Sequence, residues 1–172
     1  MVYIWASPTR IIGLTAFATT CAVCVAGWWA GRERGRPSSL FAVLAMVQAA
    51  FVLDMAFDWR WKLNLMLAQT AVRMGLYDQR RPPQFAALIL LSVLAALAAL
   101  AILIRFRRRI GAGVAVSGTM LSCALWCTEW VSYHRMDQFL YHLVGGAMLV
   151  SFFWMGNAAV TCFGVWLDSR GA

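Results

Sequence analysis

His134 and Asp137 are the pair of residues in this chain best suited to move a proton. They are three positions apart, so they share one face if their segment is helical. The carboxylate could then orient and charge the imidazole, and the pair could act as general acid and base. Tyr133 precedes the histidine and His142 follows the pair, which predicts that both lie near the same site. The alternative is that these side chains cap helix ends and face water.

Acidic residues near the ends of apolar segments form a second candidate site, for ligand binding. Asp54 lies inside one segment, with Asp58 one turn later on the same face, and Glu129 lies in the last turn of another. An ionisable group inside a membrane span is costly unless it is paired. The residues expected to join these acids are Arg60, Tyr77, Arg80 and Arg81. The set predicts either a ligand pocket or an ion-pair network that locks the intervening segment onto the bundle.

Histidine and cysteine spacing bears on metal, haem and thiol chemistry. His134 and His142 would lie at the same depth on adjacent helices, which would allow a bis-histidine haem or, with Asp137, a copper or zinc site. Nothing else supports either, so no metal or haem is expected. Cys21 and Cys24 have the spacing of a redox pair but lie mid-span, where no water stabilises a thiolate. The abundant tryptophans and methionines indicate aromatic belts that face lipid and side chains that pack between the helices.

The composition is typical of a membrane protein. Of the 172 residues, 62% are hydrophobic and 13% are charged, whereas a soluble domain carries about 25% charged residues. The net charge of +8 comes largely from arginines at predicted helix ends, where they meet anionic headgroups. Membrane lipids, and not nucleic acid, are therefore the expected partners. No repeat or linker interrupts the chain, which predicts a single transmembrane domain over residues 1–172.

Five apolar segments are long enough to cross the hydrocarbon, which takes about 20 helical residues. They cover about residues 11–30, 40–57, 85–106, 110–131 and 139–167. Between the second and third, residues of about 59–74 show helical amphipathic spacing, with Trp59 and Trp61 as headgroup anchors. Small residues favour close helix packing in the fourth span: Gly111, Gly113, Ser117 and Gly118. The predicted fold is all-α, a polytopic membrane helical bundle of about five transmembrane helices plus one interfacial amphipathic helix.

Charged residues are distributed unequally between the two predicted membrane faces. One face carries five acids: Asp54, Asp58, Asp78, Glu129 and Asp137. The two short loops of the other face carry seven arginines: Arg32, Arg34, Arg36, Arg105, Arg107, Arg108 and Arg109. Short basic loops stay cytoplasmic, which predicts an outside N-terminus and an inside C-terminus in a bacterial inner membrane. Arginines directly after the first apolar run also argue against a cleavable signal peptide.

The order of three short motifs resembles that of a known family. They are Leu76-Tyr77-Asp78-Gln79-Arg80, the arginine turn of residues 105–109, and Ser132-Tyr133-His134 with Asp137-Gln-Phe-Leu140. Over roughly residues 50–155 this order resembles the transmembrane domain of vitamin K-dependent γ-carboxylase-like (HTTM) proteins, with DoxX-like helical bundles as relatives. The resemblance implies a helical bundle with a polar pocket open to the outer side, for a quinone-like or lipid-like molecule. Vitamin K-dependent carboxylation is not expected, because Lys62 is the only lysine and does not stand where the base would be.

Two functions of different classes are compatible with these features. The first is an accessory or binding protein whose polar mouth docks a quinone, a lipid or another membrane-protein subunit. The second is a small membrane enzyme that uses His134 and Asp137 as an acid–base pair, with arginines holding an anionic or carbonyl group. The first is favoured because no catalytic signature in the chain is specific. A thiol–quinone oxidoreductase is disfavoured because it would need a cysteine pair in an exposed loop, and the sequence has none. A transporter is disfavoured because the short chain shows no inverted halves.

Overall fold

The computed structural model describes residues 7–34, 39–75, 79, 81–131 and 134–170, apart from the side chains of Leu103 and His134. These residues form seven helices and one short antiparallel hairpin. In chain order they are α1 (Pro8–Glu33), α2 (Ser39–Phe57), α3 (Trp59–Arg73), α4 (Arg81–Arg105), α5 (Ile110–Val131), α6 (His134–Leu140), β1 (Leu143–Val144), β2 (Ala147–Met148) and α7 (Leu149–Arg170).

Five of these helices, α1, α2, α4, α5 and α7, are long and apolar enough to cross a bilayer. The chain is therefore an integral membrane protein with an all-α bundle fold, as its sequence predicts. α3 confirms the predicted helix between the second and third spans, and Gly75, at φ 69°, follows its end. α4 begins with Arg81-Pro82-Pro83, because prolines in a first turn give up only amide groups that have no helical partner.

The last span begins at Leu149, not near residue 139 as the apolar pattern predicts. Residues of the intervening stretch form α6 and the hairpin instead. Gly145 and Gly146, at φ 59° and 86°, make the turn between β1 and β2, a backbone conformation that no helix can contain. The apolar character of the stretch is the same in both arrangements, so hydropathy could not locate the boundary.

The core lies between α1, α2, α5 and α7, which pack against one another as neighbours, while α4 packs mainly on α5. The closest approach is between α5 and α7. A Cβ atom at Gly164 would collide with the backbone of Ala115, and one at Gly118 would meet Thr161. The small residues of the fourth span thus confirm the predicted close packing.

The two ends of the bundle differ in charge. The carboxylate face is the end that carries Asp54, Asp58 and Glu129, where α2 and α5 end and α1 and α7 begin. The arginine face is the opposite end, where the turn between α4 and α5 carries residues 105–109. An aromatic cluster around Phe17, Phe51 and Trp154 fills the core toward the carboxylate face, next to the candidate site.

Candidate functional site at the carboxylate face

Arg60, in the first turn of α3, bridges two buried acids from two different spans. Its Nη1 lies 2.7 Å from Oε2 of Glu129 on α5, and its Nε lies 3.9 Å from Oδ2 of Asp54 on α2. The backbone N–H of Arg60 also donates to Oδ1 of Asp54 at 3.0 Å. The side chain of Glu129 is 0% exposed and that of Arg60 is 16% exposed. The predicted arginine–carboxylate contact between this segment and a span is confirmed, and it offsets the cost of burying both acids.

Two tryptophans donate further hydrogen bonds to these carboxylates. Nε1 of Trp126 donates to Oδ2 of Asp54 at 2.9 Å, and Nε1 of Trp154 donates to Oε1 of Glu129 at 3.3 Å. The network therefore joins α2, α3, α5 and α7. The sequence interpretation of the tryptophans as lipid-facing belts and packing side chains misses these two. The signal for Trp126 was its spacing of three residues before Glu129, which places both on one helix face.

Asp58 has an ion-pair partner on α1, a residue that the sequence analysis did not include, and among the described residues neither Arg60 nor Arg81 pairs with it. Nη1 of Arg10 lies 2.7 Å from Oδ2 of Asp58, and its Nη2 donates to the carbonyl oxygen of Ala56 at 2.6 Å. Arg10 is only 6% exposed. Sequence reasoning overlooked it, although it stands at the start of the first span and thus on the same predicted side as the acids.

The geometry of Asp58 explains why it separates from the Arg60 network. It ends α2 in the left-handed region, at φ 54° and ψ 36°, a conformation that Asp tolerates better than most residues. Its N–H still donates to the carbonyl oxygen of Asp54 at 2.8 Å, and its own carbonyl accepts from Lys62 at 3.0 Å. This left-handed residue separates α2 from α3, and its carboxylate meets Arg10 of α1.

The predicted acid–base pair lies on one short helix. His134 and Asp137 both belong to α6, so the helical condition for a shared face is met. Asp137 is half-buried, and His142 is exposed just after α6. The side chain of His134 lies outside the described atoms, and Tyr77, Arg80 and Tyr133 lie outside the described residues.

Arg81 is not drawn into the network. It is exposed at the start of α4, and no carboxylate of the described residues lies within ion-pair distance of it. The expectation that the arginines after Tyr77 neutralise the buried acids is therefore wrong for Arg81. Arg60 pairs with the two buried acids instead, and Arg10 pairs with the partly exposed Asp58.

Tyr141 adds a donor at the edge of the network. Burial raises the pKa of its phenol to about 12, Glu129 and Asp137 push it in the same direction, and Arg60 opposes them. The phenol therefore stays protonated at neutral pH and can donate a hydrogen bond but cannot act as a base. The charges of Glu129 and Asp137 both act on this phenol, so Tyr141 lies close to the buried network and to α6.

Trp130 has a buried indole N–H for which the described residues provide no acceptor. Its ring packs against that of Trp126, with centroids 5.4 Å apart. Close by, Nε2 of Gln84 donates to the carbonyl oxygen of Val131 at 3.1 Å and ties the start of α4 to the end of α5. A buried donor without a partner is unfavourable by about 1–3 kcal/mol, so a carbonyl oxygen from a bound molecule would stabilise it.

Metal binding finds no support in the geometry of the described side chains, where no three His, Cys, Asp or Glu residues are grouped as ligands. Comparisons with family models, with characterised proteins and with solved structures find no match to this chain. Fold and site therefore define its class by themselves: an integral membrane helical bundle with a buried, arginine-centred polar network at one face.

Proposed function

We propose that this chain is an integral-membrane binding or accessory protein whose carboxylate face holds a quinone-like or lipid-like molecule or docks another membrane subunit. The observation that carries the proposal is the Asp54–Arg60–Glu129 network. Its charges are paired within the protein and hydrogen-bonded by indoles, so it serves to hold α3 in place and not to exchange protons with a substrate. A rigidly held polar layer above an apolar bundle suits recognition of an amphipathic molecule.

The seam between α4 and α5 favours a membrane-soluble ligand. None of the described side chains of α4 is buried, so in a bilayer this helix would be open to lipid-soluble molecules along its length. Near the end of α5, the indole N–H of Trp130, which has no acceptor among the described residues, lies beside the ring of Trp126. A quinone or an ester-linked lipid offers both a carbonyl acceptor and an apolar body. The HTTM-like resemblance points to the same ligand class.

The alternative is a small membrane enzyme that uses His134 and Asp137. The observation that favours it is their common helix, α6, beside Tyr141 and the Glu129 carboxylate. In that case His134 would exchange a proton with the substrate, and Asp137 would orient the imidazole. Tyr141 would donate a hydrogen bond to negative charge that develops on the substrate. The two functions share a location but differ in whether a bound molecule is changed.

We expect the purified protein to bind a short-chain ubiquinone analogue, and we expect Trp130→Phe to weaken that binding about five-fold, the effect of one hydrogen bond of about 1 kcal/mol. Isothermal titration in detergent measures the affinity. Trp61→Phe is the matched control, because its ring is 68% exposed on α3. Equal affinities for both variants, or no binding by the unaltered protein, would contradict the quinone-site proposal. Conversion of the bound quinone that disappears in His134→Ala, with affinity unchanged, would establish the enzyme instead.

For localisation we propose a bacterial inner membrane with the N-terminus outside. Five crossings place the two termini on opposite sides, and the arginine face then meets the cytoplasm. In a variant without its native cysteines, a cysteine at Gln79 should react with an impermeant maleimide added to intact cells, and one at Ser38 should react only after lysis. Labelling of Ser38 alone in intact cells would reverse the orientation.

A further inference from the structure

A cavity of about 720 Å³ opens at the arginine face, away from the carboxylate-face site. It lies between the first turns of α2 and the turn that joins α4 to α5. One wall is apolar and includes Leu40, Val43 and Ile104. The rim is basic, because it carries Arg105 and the run of residues 107–109.

Among the described residues, most of this basic charge has no carboxylate partner. Nη2 of Arg109 lies 2.6 Å from Oδ2 of Asp168, so that arginine is paired. For Arg105, Arg107 and Arg108, the described part of the chain places no carboxylate within ion-pair distance. All three are exposed and converge on one cavity. Guanidinium groups bind phosphate oxygens with paired hydrogen bonds, so the rim is suited to a phosphate-bearing anion.

The apolar wall distinguishes a lipid from a soluble anion. Val43 is 48% exposed and Ile104 is 65% exposed, and both belong to helices that are apolar enough to cross the bilayer. The outward face of α4 continues the same surface with the exposed side chains of Leu97 and Leu100. A free phosphate would leave this wall uncovered, whereas an acyl chain would cover it while its headgroup met the arginines.

We propose that this cavity is a specific site for an anionic phospholipid, with the headgroup phosphate between Arg107 and Arg108 and an acyl chain along Val43 and Ile104. Basic pockets between transmembrane helices are a recurrent way to hold such headgroups. The site is independent of the proposed function at the opposite face. A lipid held there would also tie α2 to α4, which are otherwise joined mainly through α5.

Native mass spectrometry of the detergent-solubilised protein with added phosphatidylglycerol tests the proposal. We expect one tightly bound phosphatidylglycerol, and a roughly 25-fold loss of affinity in the double variant Arg107→Gln/Arg108→Gln, or about five-fold for each arginine removed. The matched control is Arg32→Gln/Arg170→Gln. It removes the same charge from exposed residues at the same end of the bundle but outside the cavity, and should keep nearly full affinity.

Two further measurements distinguish a lipid site from diffuse charge attraction and from a soluble-anion site. Val43→Trp, which narrows the apolar wall, should weaken phosphatidylglycerol binding, and phosphatidylcholine should bind poorly to every variant. Equal losses in the two double variants would mean diffuse charge attraction and would overturn the proposal. Inorganic phosphate that displaces the lipid at equal affinity, with no effect of Val43→Trp, would identify a soluble-anion site and would also overturn it. Unchanged helicity by circular dichroism would show that the surface variants are folded.

Discussion

Replacing Arg60 with methionine should lower the free energy of unfolding by about 3–5 kcal/mol, the usual cost of removing one partner from a buried ion pair. The substitution keeps a long apolar stem but removes the charge that faces both Asp54 and Glu129. Glu129 has no exposed side-chain surface, so water cannot replace the guanidinium. The tryptophan hydrogen bonds would remain, but neutral donors do not compensate a full negative charge.

Arg81→Met is the control for this substitution. Arg81 lies near the same face, but it is exposed and makes no ion pair with the described residues. Arg81→Met should therefore change the free energy of unfolding by no more than about 0.5 kcal/mol. Unfolding in mixed detergent micelles, followed by far-ultraviolet circular dichroism, measures both variants. In an Asp54→Asn/Glu129→Gln background the loss caused by Arg60→Met should shrink strongly, because the buried charges are gone. Equal stability losses for Arg60→Met and Arg81→Met would contradict a buried network.

The second large effect is expected at Gly164, where α7 touches α5. Gly164→Ala should destabilise the bundle by about 1–3 kcal/mol, the range for overpacking a well-filled contact. The added Cβ would overlap backbone atoms of Ala115 and would lie 2.8 Å from the carbonyl oxygen of Gly111. Backbone atoms cannot rotate away as a side chain can, so the two helices would have to separate.

Gly156→Ala, on the same helix, is the matched control because no atom lies within 4 Å of the added Cβ. It should be neutral or stabilising by up to about 1 kcal/mol, since alanine favours helix more than glycine does. The same unfolding assay compares the two. A destabilising Gly156→Ala together with a neutral Gly164→Ala would show that α5 and α7 do not pack as closely as described.

The number and type of the spans could be predicted because their signals are local. An apolar run that is long enough and an amphipathic period each belong to one segment, so α1 to α5 follow from the sequence to within a few residues. The start of α7 could not be predicted in this way. Whether residues near Phe139 continue a helix depends on the turn at Gly145 and Gly146, and hydropathy does not record that turn.

The acids of the candidate site could be predicted from the sequence, but not all of the cations that pair with them. Asp54 and Glu129 are recognisable in sequence as acids that need partners, because a charge near hydrocarbon is costly without one. Arg60 was among the expected cations, and its contacts are confirmed. Arg10 was missed and Arg81 was wrongly included, since distance along the chain does not tell which cation lies nearby in space.

What the sequence by itself determined is the class of molecule: a membrane-embedded helical bundle with most of its acids at one face and most of its arginines at the other. Solvation is the physical reason, because each residue's preference for lipid or water acts wherever the chain folds. Only the tertiary structure decided that Arg60 bridges Asp54 and Glu129, and that Arg10 takes Asp58. Ion pairs act over a few ångströms, so the packing of α1, α3 and α5 around α2, and not the order of residues, selects the partners.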